Sequence, residues 1–279
     1  MFTTLVLAGG GWNGLLSIGA LMHIFETCDL KQIQTFVGTS SGAIIGYLLC
    51  IGYELYEIVE DLLNMRLYDL FSKTSAQNYL SLWQDKYIYN FFETIGQVLE
   101  DMTLKKLRKV PTMQELYNLT SKDFVCYSYN MYTHESTKIS KQSHPNLSCI
   151  KALQMTCSVP LMFNKCLYND ELYIDGGIIE NFPLSKEHDD PNTLGIVLDY
   201  NPTSPENDTS IAGYLWELFA ILHKKIHAQK LAFVNGACIL KLCTKTSGIG
   251  KIDIRKILQT VAHGYVLSKT SSNRNFILV

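Results

Sequence analysis

The sequence predicts an α/β fold with a mostly parallel central sheet and helices packed on it, and three observations carry the prediction. Strand-like and helix-like apolar runs alternate along most of the chain. The first two strand-like runs each end in a glycine-rich turn that opens a helical run. The chain has 279 residues, of which 47% are hydrophobic and 18% charged, enough for one large core.

Residues 4–8 form the first strand, and the turn after them leads into a helical run to about residue 27. Gln34-Thr35-Phe36-Val37 reads as the second strand, and Ala43-Ile44-Ile45-Gly46-Tyr47-Leu48-Leu49 as a buried helix. Residues 52–108 change character: Leu55, Ile58, Leu62, Leu63, Leu67, Leu70 and Phe71 recur at helical spacing. Tyr79, Trp83, Tyr87, Tyr89, Phe91 and Phe92 follow. This stretch predicts a helical layer on the sheet, with one wall of an apolar substrate pocket as the sharper alternative.

Residues 124–130 alternate as a strand and run through a hairpin to Thr137-Lys138-Ile139-Ser140. A helix is expected from about residue 148 to 155, then strands at Leu172-Tyr173-Ile174 and residues 194–198. Residues 201–210 are polar and contain proline, as a surface loop does. Residues 211–233 read as an amphipathic helix, 238–242 as a late strand and 253–267 as a final helix. With no repeat, low-complexity tract or linker, residues 1–279 are taken as one domain. Its motifs lie within about residues 3–200, and residues 205–279 pack on that part.

Net charge is −2, so no strong field steers the chain to nucleic acid. The eight cysteines include no C-x-x-C pair and mostly sit in apolar runs, as reduced, buried thiols do. Neither a metal nor a cofactor is expected. The N-terminal residues lack a positive n-region, and no run approaches ~18 uninterrupted apolar residues. The expected location is therefore the cytoplasm, without signal peptide or membrane span. Tyr214, Trp216, Leu218, Phe219 and Leu222, running into His223-Lys224-Lys225, read first as a core-packed helix. The second reading is transient contact with a membrane surface.

Three glycine-rich segments could carry chemistry. Gly38-Thr39-Ser40-Ser41-Gly42 reads G-x-S-x-G between a strand and a helix, where a sharp turn exposes a serine hydroxyl. Gly9-Gly10-Gly11-Trp12-Asn13-Gly14 reads G-x-G-x-x-G after the first strand. Such a loop can cradle a dinucleotide phosphate or turn backbone N–H groups toward an oxyanion. A parallel sheet puts both loops at one carboxyl edge. Asp175-Gly176-Gly177 follows a third strand, either as a turn or as a base within about 2.6–3.2 Å of the Ser40 hydroxyl. A Ser–Asp–His triad in that chain order would draw on His188, His223, His227 or His263.

Taken in order, these segments resemble the patatin-like phospholipases. Ser158-Val159-Pro160-Leu161-Met162-Phe163 is similar to the family's Ser/Ala-x-Pro-x-x-Phe, and Asn181-Phe182-Pro183 to its Asn-x-Pro. Thr112-Met113-Gln114-Glu115-Leu116 is similar to the Thr-x-x-Glu-Leu that leads into the middle strand. The likeness covers roughly residues 3–200, and His263-Gly264-Tyr265 also looks familiar.

The resemblance implies a three-layer α/β/α fold and a Ser–Asp dyad without histidine or metal. Ser40 would be the nucleophile and Asp175 its base. Gly10, Gly11 and Trp12 would lend N–H groups to the oxyanion, and Gly9, Gly14, Gly38, Gly42, Gly176 and Gly177 would shape the loops. The implied reaction is phospholipase A-type hydrolysis of lipid esters through an acyl-enzyme. A dyad further predicts no rate limb at an imidazole pKa near ~6.5. One departure is Asn13, where the family often has Arg or Lys. The alternatives are a triad esterase and a non-catalytic lipid- or nucleotide-binding module.

Overall fold

In a computed structural model of the chain, residues 1–64, 90–160, 162–200, 225–226, 231–245, 253–272 and 277–278 are described. Their strands are β1 (Thr4–Leu7), β2 (Thr35–Thr39), β3 (Asp123–Asn130), β4 (Glu135–Ile139), β5 (Cys166–Tyr168), β6 (Glu171–Asp175), β7 (Thr193–Tyr200), β8 (Cys238–Thr244) and β9 (Ile277–Leu278). The helices are α1 (Gly14–Ile24), α2 (Ser41–Cys50), α3 (Leu55–Asn64), α4 (Gln97–Leu107), α5 (Met113–Thr120), α6 (Cys149–Cys157) and α7 (Ile254–Ser272).

The strands form one sheet in the order β5-β6-β3-β2-β1-β7-β8-β9, with β4 paired to β3. The central run β3-β2-β1-β7-β8 is parallel, and the remaining pairings are antiparallel. This is the mixed, mostly parallel sheet with flanking helices that the sequence predicts. Along β1 the period of two divides the core: Leu5 and Leu7 enter one apolar cluster, Val6 and the following Ala8 another. All four are fully buried, as a central parallel strand requires. Every helix from α1 to α7 contributes to the first cluster, while Phe182, Val234 and Ala237 cover the second.

β3 organises the site end of the sheet. One edge carries β4 from Cys126 to Asn130. The other carries β2 up to Tyr127 and then β6 from Ser128 onward. The Thr112-x-x-Glu115 segment is a capping box: Thr112 Oγ1 accepts the Glu115 N–H at 3.2 Å, and Glu115 Oε2 accepts the Thr112 N–H at 2.9 Å. It starts α5, which delivers the chain to β3.

β8 and α7 join the same body. α7 crosses α1 so closely that a Cβ on Gly19 would sit 1.8 Å from the Val261 carbonyl oxygen. A Cβ on Gly264 would sit 2.1 Å from that of Leu16. His23 Nδ1 meets Ser268 Oγ at 2.9 Å, and the Tyr265 hydroxyl donates to Glu26 Oε1 at 2.6 Å. His263-Gly264-Tyr265 is thus part of this crossing. Cys50, Cys126, Cys149, Cys157 and Cys166 are buried as expected, whereas Cys28 and Cys243 are exposed.

Among the described residues no single helix is long and apolar enough to cross a membrane. α2 and α3 reach that length only as a pair bent by 117°. No group of three His, Cys, Asp or Glu among those residues could hold a metal ion. The expected aromatics Tyr79, Trp83, Tyr87 and Tyr89, the 201–210 loop, the helix with Trp216 and Phe219, His223 and His227 lie outside the described residues.

Candidate active site

Ser40 links β2 to α2 with φ 53° and ψ −126°, a backbone region that a non-glycine residue rarely adopts. Such strain is on the order of 1–3 kcal/mol and persists only where the surroundings over-determine it. Here they do. The Ser40 N–H donates to Thr156 Oγ1 at 3.0 Å, and Thr156 Oγ1 donates to the Tyr127 carbonyl. The Ser40 carbonyl starts α2 by accepting the Ile44 N–H at 3.1 Å. Thr39 Oγ1 donates to the Glu180 carbonyl at 2.7 Å. α2 then passes against the end of β1, and Gly42 permits the approach: a Cβ there would lie 2.4 Å from the Leu7 carbonyl oxygen. α2 begins at Ser41, two residues before the apolar run that marks it in the sequence, because the elbow itself supplies the first turn.

Asp175 ends β6. Its N–H donates to the Ser158 carbonyl at 3.0 Å, which gives the Ser158-x-Pro160 segment its role. Asp175 Oδ1 accepts the Gly177 N–H at 2.6 Å. Its Oδ2 is buried without a hydrogen-bond partner. Burial pushes the Asp175 carboxyl up to about 6, against the opposing pull of the Ser40 hydroxyl and the Gly177 N–H. The Ser40 hydroxyl is therefore near enough to favour the carboxylate, although no hydrogen bond of ordinary geometry joins the two in this resting arrangement. Ser40 and Asp175 are 9% and 5% exposed, so both sit at the floor of the site.

The Gly-rich loop leaves β1 and enters α1 through a short turn, Gly11–Asn13. Gly11 has φ 55°, which only glycine adopts without strain. The Gly10 N–H donates to Ser41 Oγ at 3.1 Å, and the Gly10 carbonyl accepts the Asn13 N–H at 3.0 Å. Asn181 ties this loop to the Asp175 segment. Its carbonyl accepts the Gly9 N–H, and its Nδ2 donates to the Gly9 carbonyl, both at 3.1 Å.

All three predicted segments therefore meet at one end of the sheet. Sequence reasoning missed Thr156, Ser41 and Cys157. The Cys157 thiol is held well above its ordinary pKa by burial and by the charge of Asp175, with the Ser40 hydroxyl opposing. It stays protonated beside both residues, and a protonated thiol is a poor nucleophile. No histidine among the described residues contributes to the shift at Asp175. His188 instead sits near Glu187 on the turn Lys186–His188.

The family model described as patatin-like phospholipase matches residues 5–186. The chain is 31% identical over 189 residues to "Probable lipid hydrolase 463L" of Invertebrate iridescent virus 6, covering 66% of this chain and 62% of that protein. It is 30% identical over 197 residues to "Uncharacterized protein R571" of Acanthamoeba polyphaga mimivirus, covering 69% of this chain and 64% of that protein. The chain thus spans less than two thirds of the length of either relative. Its fold is similar to VipD from Legionella pneumophila, with a TM-score of 0.57 and 15% identity, covering 98% of this chain and 67% of that one.

Proposed function

Because the chain belongs to the patatin-like phospholipase family, we propose that it is a lipid acyl hydrolase of phospholipase A type, with Ser40 as nucleophile and Asp175 as base. The observation that carries this reading is the buried Asp175 carboxyl close to a serine held in a strained strand-to-helix elbow. The viral relative named a probable lipid hydrolase supports the substrate class.

Asp175 takes the Ser40 proton as Oγ attacks the ester carbonyl carbon. The resulting oxyanion is met by backbone N–H groups of Gly11 and Trp12 at the start of α1, where the helix dipole favours negative charge, while the Gly10 N–H, expected from the sequence to join them, is held by Ser41 Oγ. Asp175 then returns the proton to the leaving alkoxide, the C–O ester bond breaks, and the acyl group stays on Ser40. Water, deprotonated by Asp175, attacks the acyl-enzyme. The fatty acid leaves and Ser40 recovers its proton. Burial suits Asp175 to this work, since a carboxyl raised toward neutrality is a better proton acceptor than an exposed one.

With Asn13 where the family often has a cation, the loop keeps its backbone donors but carries no fixed charge to select an anionic head group. The substrate is a neutral or zwitterionic lipid ester reached through transient contact with a membrane surface. The test is hydrolysis of phosphatidylcholine vesicles and of a p-nitrophenyl acyl ester by the chain, by Ser40→Ala and by Asp175→Asn. Both variants are expected to lose activity on both substrates. Survival of activity in either removes the dyad.

A further inference from the structure

We propose that Ser41 is a positioning residue of this site, latching the Gly-rich loop to the start of α2. The proposal deepens the reading of Ser40 as nucleophile and rests on it for its catalytic consequence.

Two observations carry it. Ser41 Oγ accepts the Gly10 N–H at 3.1 Å. The same side chain fills the notch left by the missing Cβ of Gly14, where a Cβ would lie 2.9 Å from Ser41 Oγ and 3.0 Å from its Cβ. Gly10 and Gly14 bracket the turn Gly11–Asn13, so Ser41 grips the loop at both ends. The Gly10 carbonyl is held as well, by the Asn13 N–H at 3.0 Å. Both faces of the Gly10 backbone are therefore fixed before the chain reaches Gly11, which is exposed and has φ 55°.

The consequence is a set distance between nucleophile and oxyanion donors. Ser41 follows Ser40 directly, so one peptide unit and one hydrogen bond join the elbow to the loop. With its N–H committed to Ser41, Gly10 acts as the anchor in the resting site, and the oxyanion falls first to the Gly11 N–H. A misplacement of about 1 Å in such a constellation can reduce rate by on the order of 100-fold. The G-x-S-x-G pattern accepts any residue at this position, and only one able to accept a hydrogen bond makes the latch.

Ser41→Ala and Ser41→Thr are compared with the unaltered chain in two measurements. The first is amide hydrogen exchange at Gly10 by NMR, which needs no activity. Ser41→Ala is expected to speed it about tenfold, and Ser41→Thr, which keeps the hydroxyl, to leave it slow. The second is turnover of a p-nitrophenyl acyl ester. Ser41→Ala is expected to lower kcat by about 10- to 100-fold with KM changed less than about threefold, and Ser41→Thr to restore most of it. Unchanged exchange at Gly10 in Ser41→Ala overturns the latch. Faster exchange with full kcat, or equal loss of kcat in both variants, overturns the positioning role. An unaltered chain that turns over no ester overturns the hydrolase reading instead, while the exchange measurement still decides the latch.

Discussion

Thr39 and Asp175 occupy consecutive places along one edge of β3, Thr39 paired with Tyr127 and Asp175 with Ser128. β2 arrives parallel to β3 and β6 antiparallel, so their carboxyl ends meet head to head. The Ser40 elbow and the Asp175 carboxylate are brought together by strand register before any side-chain contact is made. Thr156 then fastens the meeting point, since its hydroxyl accepts from Ser40 and donates to Tyr127.

The carboxylate should govern the pH dependence of activity. In the proposed mechanism Asp175 works ionised, and burial raises its carboxyl to about 6. kcat/KM is expected to rise with pH along a limb of apparent pKa about 6. This overlaps the imidazole range, so the limb alone does not separate a dyad from a histidine, and the histidine variants decide between them. Asp175→Asn should lower kcat by about 10³-fold, within the range for loss of a general base. His188→Gln and His263→Gln should leave kcat within about threefold. Near-total loss from either histidine change would replace the dyad with a triad.

The same burial makes Asp175 a liability for stability. Its folded pKa lies above the unfolded value, so the folded state holds the proton more tightly and stability falls as pH rises from about 3.8 through about 6. At 1.36 kcal/mol per pH unit, keeping the carboxylate charged costs about 3 kcal/mol. Asp175→Asn should therefore be more stable than the parent in urea at pH 7.5, by up to about 3 kcal/mol, and equal to it near pH 4. No difference at pH 7.5 would show that the carboxylate is not held at this cost.

Thr156→Val keeps the shape and removes the hydroxyl. It strands the buried Ser40 N–H and the Tyr127 carbonyl, whose partner is lost in each case. The expected loss is about 1–3 kcal/mol in urea unfolding with an unchanged m-value, together with reduced turnover. Full turnover in this variant would mean that the elbow holds its conformation without Thr156.

Gly19→Ala tests the seat of α7 on α1. The added Cβ would lie 1.8 Å from the Val261 carbonyl oxygen, a backbone atom that cannot step aside alone. The helices must separate, so destabilisation of about 3 kcal/mol or more is expected in urea unfolding. A loss below about 1 kcal/mol would show that the crossing gives way freely.

Much of this was legible in the sequence for local reasons. β1, β2 and their glycine turns announce themselves because a buried parallel strand is a short apolar run and a tight turn needs glycine. Ser40 and Asp175 could be found because each sits in such a turn. The glycine-rich turn from Gly9 to Gly14 was equally visible. The rest depends on contacts between residues distant in the chain. Nothing near Thr156 in the sequence shows that its hydroxyl will meet a residue 116 positions earlier. Ser41 was passed over because its position in the pattern is unrestricted. Cys157 reads as one more buried thiol in an apolar run until α6, which extends past the expected end near residue 155, is packed beside Asp175.

The central claim is that Ser40 is a nucleophile activated by Asp175. Reaction of the chain with a fluorophosphonate, followed by peptide mass spectrometry, tests it most directly. The account predicts one adduct on Ser40, absent in Ser40→Ala and formed at least about 100-fold more slowly in Asp175→Asn. No adduct on the unaltered chain, an adduct on another residue, or an undiminished rate in Asp175→Asn would contradict it.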